Sequence, residues 1–204
     1  MSLRTNGIDI EEIASSLAKH VAANLKQAAD RAATEAVFRG AAAKIFSEAA
    51  EKAGIELYQR DEYTVAQKRL DSVYNRLIIE YKRPGILKTN NSNTANQNVI
   101  QQLRGYMTDL AKKEKRDVQR FVGAALDGRF IIFIRPTGDI LHPDDPAEIS
   151  AGSVQRLLRF LFSLASGRAL LPENLVEDFG PGLHVQKAVK ALYETPKCER
   201  SPAG

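Results

Sequence analysis

The segment LIIEYK at positions 77–82 constrains the fold of this chain more than any other segment. It is short, rich in β-forming residues and followed by the turn pair Pro84-Gly85, so it predicts a β-strand rather than a helix. Its apolar run is typical of a strand in the interior of a sheet. Glu80 nevertheless follows three apolar residues in this strand, and a carboxylate in such a place requires a reason.

The segments around this strand predict an α/β fold. Residues 8–53 have the three- and four-residue apolar spacing of two helices. Asp9 is the predicted N-cap of the first helix, and Thr34 or Asp30 is the predicted N-cap of the second. Gly54 is expected to end the second helix.

The rest of the chain alternates strands and helices. Residues 55–82 predict two or three short strands, and Asp127-Gly128 predicts the two-residue turn of a later hairpin. The other predicted elements are a polar loop at 88–98, a helix at about 95–113, hairpin strands at 121–126 and 129–134, helices at 150–166 and 185–193, and a disordered tail or domain cut at 195–204. This order favours a mixed central sheet flanked by helices, with 1–30 as a helical N-terminal extension and 31–194 as the main domain with C-terminal helices.

Composition narrows the possible partners and the cellular location of this chain. The 204 residues carry a formal charge of +4 with a pI near 9.2, which permits a phosphate-rich partner without requiring one. No apolar run approaches the ~20 residues that span a bilayer, and the N-terminus lacks a signal-peptide core. One cysteine and three scattered histidines predict neither a disulfide framework nor a zinc cluster. We therefore expect a cytoplasmic protein without a membrane partner.

The residues before the apolar strand can place three charged side chains on one face. If Asn75 and Arg76 form a two-residue turn, Asp71 faces Glu80 across a hairpin, with Cβ atoms ~5 Å apart. Lys82 lies two residues beyond Glu80 and therefore points to the same face. A three-residue turn would move Asp71 to the other face unless a bulge compensates.

Two carboxylates this close repel each other. At ~4 Å and an effective dielectric of ~20 the repulsion costs about 4 kcal/mol, which a shared proton or a bound cation relieves. Oxygen ligands with room for water suit Mg²⁺ or Mn²⁺ better than zinc. Such an ion polarises a phosphate, and a nearby lysine offsets the charge of the transition state. The alternative is that Asp71, Glu80 and Lys82 form a solvated strand edge.

Asp71, a hairpin and then Glu80-Tyr81-Lys82 resemble the signature of the PD-(D/E)XK nuclease superfamily. The proline of that name does not precede Asp71. The resemblance implies a restriction-endonuclease-like core in which Asp71 and Glu80 bind Mg²⁺, or Mn²⁺ in its place. It further implies that Lys82 assists the attacking water and that the reaction is hydrolysis of a DNA phosphodiester bond.

Two further features of the superfamily have counterparts in this chain. A preceding helix often supplies another glutamate, and Glu35 in the segment TEAVFR resembles that residue as a catalytic and metal-binding carboxylate; the alternative is a helix-surface pair with Arg39. Some members carry Gln-x-x-x-Tyr on the helix after the catalytic strand, which Gln102 and Tyr106 match. These two would orient the site or the DNA strand, or they are a surface glutamine and a half-buried tyrosine.

A wider resemblance is to the N-terminal nuclease part of bifunctional restriction–modification enzymes. It is carried by IIEYKRPG at 78–85 and by LVEDFG at 175–180. The nuclease-like core covers 31–135, and the wider resemblance extends to about residue 193. It implies the cleavage domain of such an enzyme, with a methyltransferase domain covalently linked in a longer parent chain. No methyltransferase motif occurs in these residues.

Basic residues near the candidate site indicate a DNA partner. Arg83, Lys88 and Arg104 are the predicted DNA-binding residues, whereas the cations at 112–116 suit a solvated helix end. Cutting both strands usually takes two active sites, which favours a homodimer on DNA. Two alternatives stay open: a catalytically inactive nuclease-fold module that binds DNA or RNA, and a helical protein-interaction domain built on the alanine-rich first 50 residues.

Overall fold

The computed structural model describes residues 4–5, 8–57, 59–65, 68–74, 76–137 and 140–165; within these ranges it describes the backbone alone at 4–5, 8, 59–65, 68–70 and 165. The chain divides into two compact units, Met1–Gly167 and Arg168–Gly204, and every described residue belongs to the first. The predicted helix at 185–193, the segment 175–180 and the tail at 195–204 lie outside the described residues. The predicted domain limits at residues 30 and 194 stay predictions.

The elements of the first unit follow the predicted order. They are β1 (Arg4–Thr5), β2 (Ile8–Asp9), α1 (Ile10–Arg31), α2 (Glu35–Lys52), β3 (Gln59–Val65), β4 (Lys68–Tyr74), β5 (Leu77–Tyr81), α3 (Thr94–Glu114), a 3-10 helix (Val118–Arg120), β6 (Val122–Leu126), β7 (Phe130–Thr137), β8 (Ile140–Pro143), β9 (Ala147–Glu148) and α4 (Ala151–Ala165). The sequence did not predict β1, β2, β8 and β9, which are two to four residues long and give no clear alternation.

Local capping residues begin and end the first two long helices. The Asp9 carboxylate accepts hydrogen bonds from two backbone N–H groups in the first turn of α1. The Thr34 hydroxyl does the same for one N–H group of α2, so Thr34 rather than Asp30 is the cap. Gly54 follows α2 with φ +66°, a conformation that favours glycine after a helix. These predictions from the sequence are confirmed.

One mixed sheet organises the described part of the chain. Its strand order is β3-β4-β5-β6-β7-β8, and β9 pairs with β7. All of these pairs are antiparallel except that of β5 and β6, which is parallel. Parallel neighbours require a crossover connection, and α3 lies within it. The prediction of an α/β fold with a mixed, helix-flanked sheet is therefore confirmed.

Helices cover both faces of the sheet. Buried residues of α1, α2 and α4 form one core with the side chains of Leu77, Ile79 and Tyr81. Residues of α3 form a second core with Val73 and Ile78. The alternation along β5 therefore directs odd-numbered residues to the first core and even-numbered residues toward α3. None of the helices that the structure describes is both long and apolar enough to cross a membrane.

Helix α3 (Thr94–Glu114) agrees with the predicted helix at about 95–113 to within one residue, but the predicted polar loop at 88–98 overlaps it. It starts at Thr94 after the N-cap Asn93, so 94–98 is helical rather than part of a loop. Asn96 is completely buried, although it lies in the segment 88–98 that the sequence predicts to be a polar loop. The prediction was wrong because a buried asparagine is indistinguishable from a solvated one until its partners are known.

The β6–β7 hairpin turns one residue later than predicted. Leu126 pairs with Ile131, and the backbone N–H of Asp127 donates to the carbonyl of Phe130 at 3.3 Å. The two central residues are therefore those at 128 and 129, not Asp127-Gly128. Gly128 has φ +77°, and glycine at the first central position is typical of a type II′ turn.

Candidate active site

The candidate site lies where the β4–β5 ladder ends. The ladder has the predicted register, with the pairs Tyr74–Leu77, Val73–Ile78 and Ser72–Ile79. Asn75, the predicted first turn residue, lies outside the described residues. Val73 and Ile78 belong to the α3 side of the sheet, and alternation places Asp71 and Glu80 on the same side.

Asp71 is held just beyond the paired residues by two hydrogen bonds. Its Oδ2 accepts from the backbone N–H of Tyr81 at 2.9 Å, and its Oδ1 accepts from Nη1 of Arg39 at 3.0 Å. The first bond joins the carboxylate to the strand that carries Glu80, and the second joins it to α2. The Asp71 side chain is 14% exposed. Burial and these two bonds together fix the orientation of both carboxylate oxygens.

Glu80 is a buried carboxylate with a lysine partner. It is 3% exposed, and Nζ of Lys82 donates to its Oε1 at 2.6 Å. Burial and the charge of Asp71 raise the pKa of Glu80 to about 7, although Lys82 lowers it. Burial lowers the pKa of Lys82, but the hydrogen bond and charge of Glu80 outweigh it, and the pKa of Lys82 is raised. The site thus contains a carboxyl group that titrates near neutrality beside a charged lysine.

Helix α2 brings Glu35 and Arg39 to this end of the sheet. Burial and the bond between Glu80 and Lys82 have larger effects on the pKa of these two groups, and the charge of Glu35 also raises the pKa of each. Phe38 lies between the two on α2 and packs edge-on against Tyr81, with ring centroids 6.2 Å apart. The predicted accessory carboxylate is therefore within electrostatic range of the other two. The sequence considered Arg39 only as a partner of Glu35 and missed its contact with Asp71, which is 32 positions away.

Gln102 and Tyr106 approach the same charges from α3. Nε2 of Gln102 donates to the Tyr106 hydroxyl at 2.7 Å, as the i, i+4 spacing predicts. Burial raises the pKa of Tyr106 against the effect of its bond to Gln102, and the charge of Glu80 raises it further. The phenol group is thus close enough to Glu80 to sense its charge. Whether the pair orients a substrate stays a prediction.

The three predicted DNA-binding cations occupy different environments. Arg83 and Lys88 are exposed in the segment after β5, and Nζ of Lys88 donates to the Gly85 carbonyl at 2.7 Å. Arg104 is half-buried, and its Nε donates to the Leu141 carbonyl at 2.9 Å. Arg104 therefore connects α3 with β8, which is a structural contact the sequence did not indicate.

Asp127 is a buried residue whose role the sequence did not reveal. It is completely buried, and its Oδ1 accepts from the N–H groups of Arg129 and Phe130 at 2.9 and 2.8 Å. Its Oδ2 accepts from the N–H groups of Gly85 and Leu87 at 3.1 and 2.9 Å. One carboxylate thus joins the β6–β7 turn to the segment that follows β5. An Asp-Gly pair in the sequence indicates a turn, but it does not indicate that the aspartate also bonds backbone N–H groups about 40 positions away.

Asn96 holds the next part of the same segment. Its Oδ1 accepts from the N–H of Lys88 at 3.0 Å, and its Nδ2 donates to the carbonyls of Lys88 and Asn90 at 2.8 and 3.0 Å. Asp127 and Asn96 together fix the backbone at 85–90.

Asp144 is used in ion pairs within the fold. It pairs with Arg135 at 2.9 Å and with Arg156. Burial opposes but does not cancel the effect of these two arginines, which lower the pKa of Asp144. These two arginines neutralise the carboxylate, so Asp144 has a structural role in the fold.

The donor atoms of the site suit a hard cation held partly by water. Among the described residues, no group of three His, Cys, Asp or Glu side chains is arranged to hold a metal ion. Mg²⁺, however, is usually bound through one or two carboxylates together with water and substrate phosphate. Asp71 and Glu80 are two carboxylates within electrostatic range of each other, so the residues fit Mg²⁺ or Mn²⁺ and do not fit an all-protein zinc site.

Comparisons of the chain with protein-family models, with curated proteins and with solved structures found no match.

Proposed function

We propose that this chain is a magnesium-dependent endonuclease with a restriction-endonuclease-like core that hydrolyses DNA phosphodiester bonds. The observation that supports it best is the convergence of Asp71, Glu80 and Lys82 at one end of the sheet. Removing a carboxylate and an ammonium group from water costs several kcal/mol per ion. Strongly shifted carboxyl groups beside a specific charge partner are typical of functional sites.

In this proposal Asp71 and Glu80 hold the metal ion, with Glu35 as an accessory carboxylate. The bound ion supplies polarisation of the scissile phosphate and a lower pKa for a bound water. Mn²⁺ can take the place of Mg²⁺ because both prefer oxygen ligands.

The side chains of the chain itself supply charge and orientation. Lys82 places a positive charge where the phosphate becomes more negative in the transition state, and its raised pKa keeps it protonated. Arg39 and the Tyr81 N–H orient Asp71. Gln102 and Tyr106 orient the DNA strand, and the exposed Arg83 and Lys88 contact its phosphates.

The biological setting is part of the same proposal. We place the chain in the cytoplasm as the cleavage domain of a restriction–modification enzyme, with a methyltransferase domain linked to it in a longer parent chain. Two copies act together on duplex DNA, one for each strand.

The test is cleavage of supercoiled plasmid DNA by the purified chain. We expect nicked and linear products with Mg²⁺ or Mn²⁺ and none with EDTA. Asp71→Ala, Glu80→Ala and Lys82→Ala should each lower the rate by at least about 100-fold, as for other groups that stabilise developing charge. Glu48→Ala, a change at a half-exposed position of α2, is the control and should cut normally. Cleavage that persists in EDTA, or in folded Lys82→Ala, contradicts the proposal.

A second candidate is a nuclease-fold module that binds DNA or RNA without cutting it. It is favoured by the protein cations that already neutralise both carboxylates, Arg39 at Asp71 and Lys82 at Glu80. Calorimetric titration with Mn²⁺ separates the two candidates. Heat of binding that disappears in Asp71→Ala supports the enzyme, and no heat in the wild-type chain supports the binding module.

A further inference from the structure

Two buried side chains hold the backbone of the segment between β5 and α3, residues 82–93, in place. Asp127 and Asn96 are completely buried, and between them they bond the backbone of Gly85, Leu87, Lys88 and Asn90. Fixing a residue's backbone costs about 1–2 kcal/mol of conformational entropy. Because this cost is met during folding, the segment is preformed for any ligand that it binds.

The first two turns of α3 continue this ordered segment with an uncharged polar surface. Residues 89–103 contain five Asn, three Gln and no charged residue. At the chain's average of 26% charged residues, a stretch of this length would carry about four. Exposed helix faces usually carry Lys and Glu, so the absence of charge here distinguishes this surface from an ordinary solvated face.

The amide side chains of this stretch divide into two groups. Asn90, Asn91, Asn93 and Asn96 form hydrogen bonds with the protein backbone. The side chains of Gln97, Asn98 and Gln101 are exposed, and the structure gives them no hydrogen bond to the part of the chain that it describes. Their spacing along α3 puts these three amides on one helical face. We call Gln97, Asn98 and Gln101 the amide face.

The chemistry of the amide face fits nucleic acid better than protein. Protein–protein interfaces usually depend on a few large, mainly aromatic, side chains, and the amide face contains none. Base edges in the major groove offer paired donors and acceptors, and Asn or Gln can bond adenine at two atoms. The exposed cations Arg83 and Lys88 lie in the ordered segment that leads into α3, where they can contact the phosphates beside the bases.

We propose that the amide face reads base edges of duplex DNA, with adenine as the preferred contact, while Arg83 and Lys88 bind the flanking phosphates. This inference rests on the proposed function, because the amide face lies on the same helix as Gln102 and Tyr106, which that function assigns to the cleavage site. Asp127 and Asn96 are positioning residues in it, since they hold the backbone that connects the amide face to β5.

The experiment uses the full chain and a pool of random-sequence duplexes, with bound DNA recovered and sequenced. Asp71→Ala serves as the background so that the DNA stays intact. Gln97→Ala/Asn98→Ala/Gln101→Ala tests the amide face, and Arg83→Ala/Lys88→Ala tests the phosphate contacts. Gln27→Ala/Gln119→Ala removes two exposed amides elsewhere and is the matched control.

The two kinds of contact predict different salt dependence. The amide variant should bind the best sequence at least about tenfold more weakly and lose its sequence preference, with an unchanged slope of log K against log salt. The cation variant should weaken binding to all sequences alike and reduce that slope by about 2, since about one counterion is released per phosphate contact. The control should match the background.

Several outcomes would overturn the inference. One is that the Asp71→Ala chain binds duplexes without sequence preference. Another is that the amide variant keeps the same sequence preference as Asp71→Ala. Cleavage of DNA without sequence preference would reject the amide face while leaving the nuclease proposal intact. A sequence preference that depends on the amide face, in a wild-type chain that never cuts with Mg²⁺ or Mn²⁺, would support the amide face and reject the nuclease.

Discussion

Nζ of Lys82 lies 2.6 Å from Oε1 of Glu80, and the two side chains are only 16% and 4% exposed. Two residues apart in the extended chain, they point to the same side of the sheet, and the charges of Asp71 and Glu35 raise the pKa of both groups. The lysine therefore balances a cluster of carboxylates that would otherwise repel each other in a poorly hydrated place.

Removing the ammonium group of Lys82 should lower the free energy of unfolding, because the Glu80 carboxylate would then be buried without its partner. Lys82→Met keeps much of the side-chain volume but removes the group that lowers the pKa of Glu80. Removing one partner of a buried pair typically costs 3–5 kcal/mol. We therefore expect urea denaturation at pH 8.5 to show a free energy of unfolding that is lower by roughly 3 kcal/mol. The loss should shrink at pH 5, where Glu80 is protonated in the folded variant and needs no partner.

The double variant Lys82→Met/Glu80→Gln is the control for this prediction. Without a carboxylate at position 80, the pH dependence of the stability difference should disappear. A loss in Lys82→Met that is the same at both pH values would contradict the pairing.

The metal-free chain should lose stability as the pH rises through the neutral range. The pKa of Glu80 is about 7 in the folded protein and 4.5 as its ordinary value, so the folded state binds this proton more tightly than the unfolded state. The stabilisation is complete below pH 4.5 and is lost as the pH rises to about 7. Its upper limit is roughly 3 kcal/mol. Comparing Glu80→Gln with the wild type between pH 4.5 and 8 isolates it, and a constant difference would be evidence against the shifted pKa.

Metal binding should have the opposite dependence on pH. A carboxyl group must be deprotonated to bind a cation, so Mn²⁺ should raise the melting temperature more at pH 8 than at pH 6. The increase should be absent at both values in Asp71→Ala. An equal increase in that variant would indicate that Mn²⁺ binds elsewhere.

Two glycines should respond in opposite directions to the same substitution. A Cβ at Gly128 would lie 2.5 Å from Cβ of Ala29 and 2.7 Å from Cε2 of Phe38, at φ +77°. Gly128→Ala should therefore lower the free energy of unfolding by roughly 3 kcal/mol. Gly40 lies in α2 with nothing within 4 Å, so Gly40→Ala should raise that free energy by roughly 0.5–1 kcal/mol. Thermal denaturation of both variants checks this, and equal effects would show that the turn can move away from α1 and α2.

Asp127 should be intolerant of its closest substitute. Four backbone N–H groups donate to its carboxylate, and asparagine would direct an N–H group at some of them. We expect Asp127→Asn to cost roughly 3 kcal/mol in urea denaturation, because hydrogen bonds to charged groups contribute about 1.5–3 kcal/mol each. Asp145→Asn, at an exposed position, should change stability by less than about 0.5 kcal/mol. A small effect of Asp127→Asn would mean that the segment after β5 is held mainly by other contacts.

Features encoded by neighbouring residues were predictable from the sequence. The N-caps Asp9 and Thr34, the glycine at position 54 that follows α2 and the register of the β4–β5 hairpin depend on groups within a few residues of each other. The placement of Glu80 and Lys82 on one side of the sheet follows from strand alternation alone. The function of these residues stays a proposal, because local pattern predicts where a side chain points and not what it binds.

Other features were decided by contacts between distant parts of the chain. Nothing near Arg39 indicates that it bonds Asp71, and nothing near Asp127 or Asn96 indicates that each holds the backbone after β5. A solvated polar residue and a buried, fully bonded one can have the same neighbours in sequence, since the difference lies in which backbone groups the fold brings to them. The amino-acid pattern thus determined the long helices, the longer strands and the charged face of one hairpin, whereas the tertiary structure decided which polar groups are buried and what they hold.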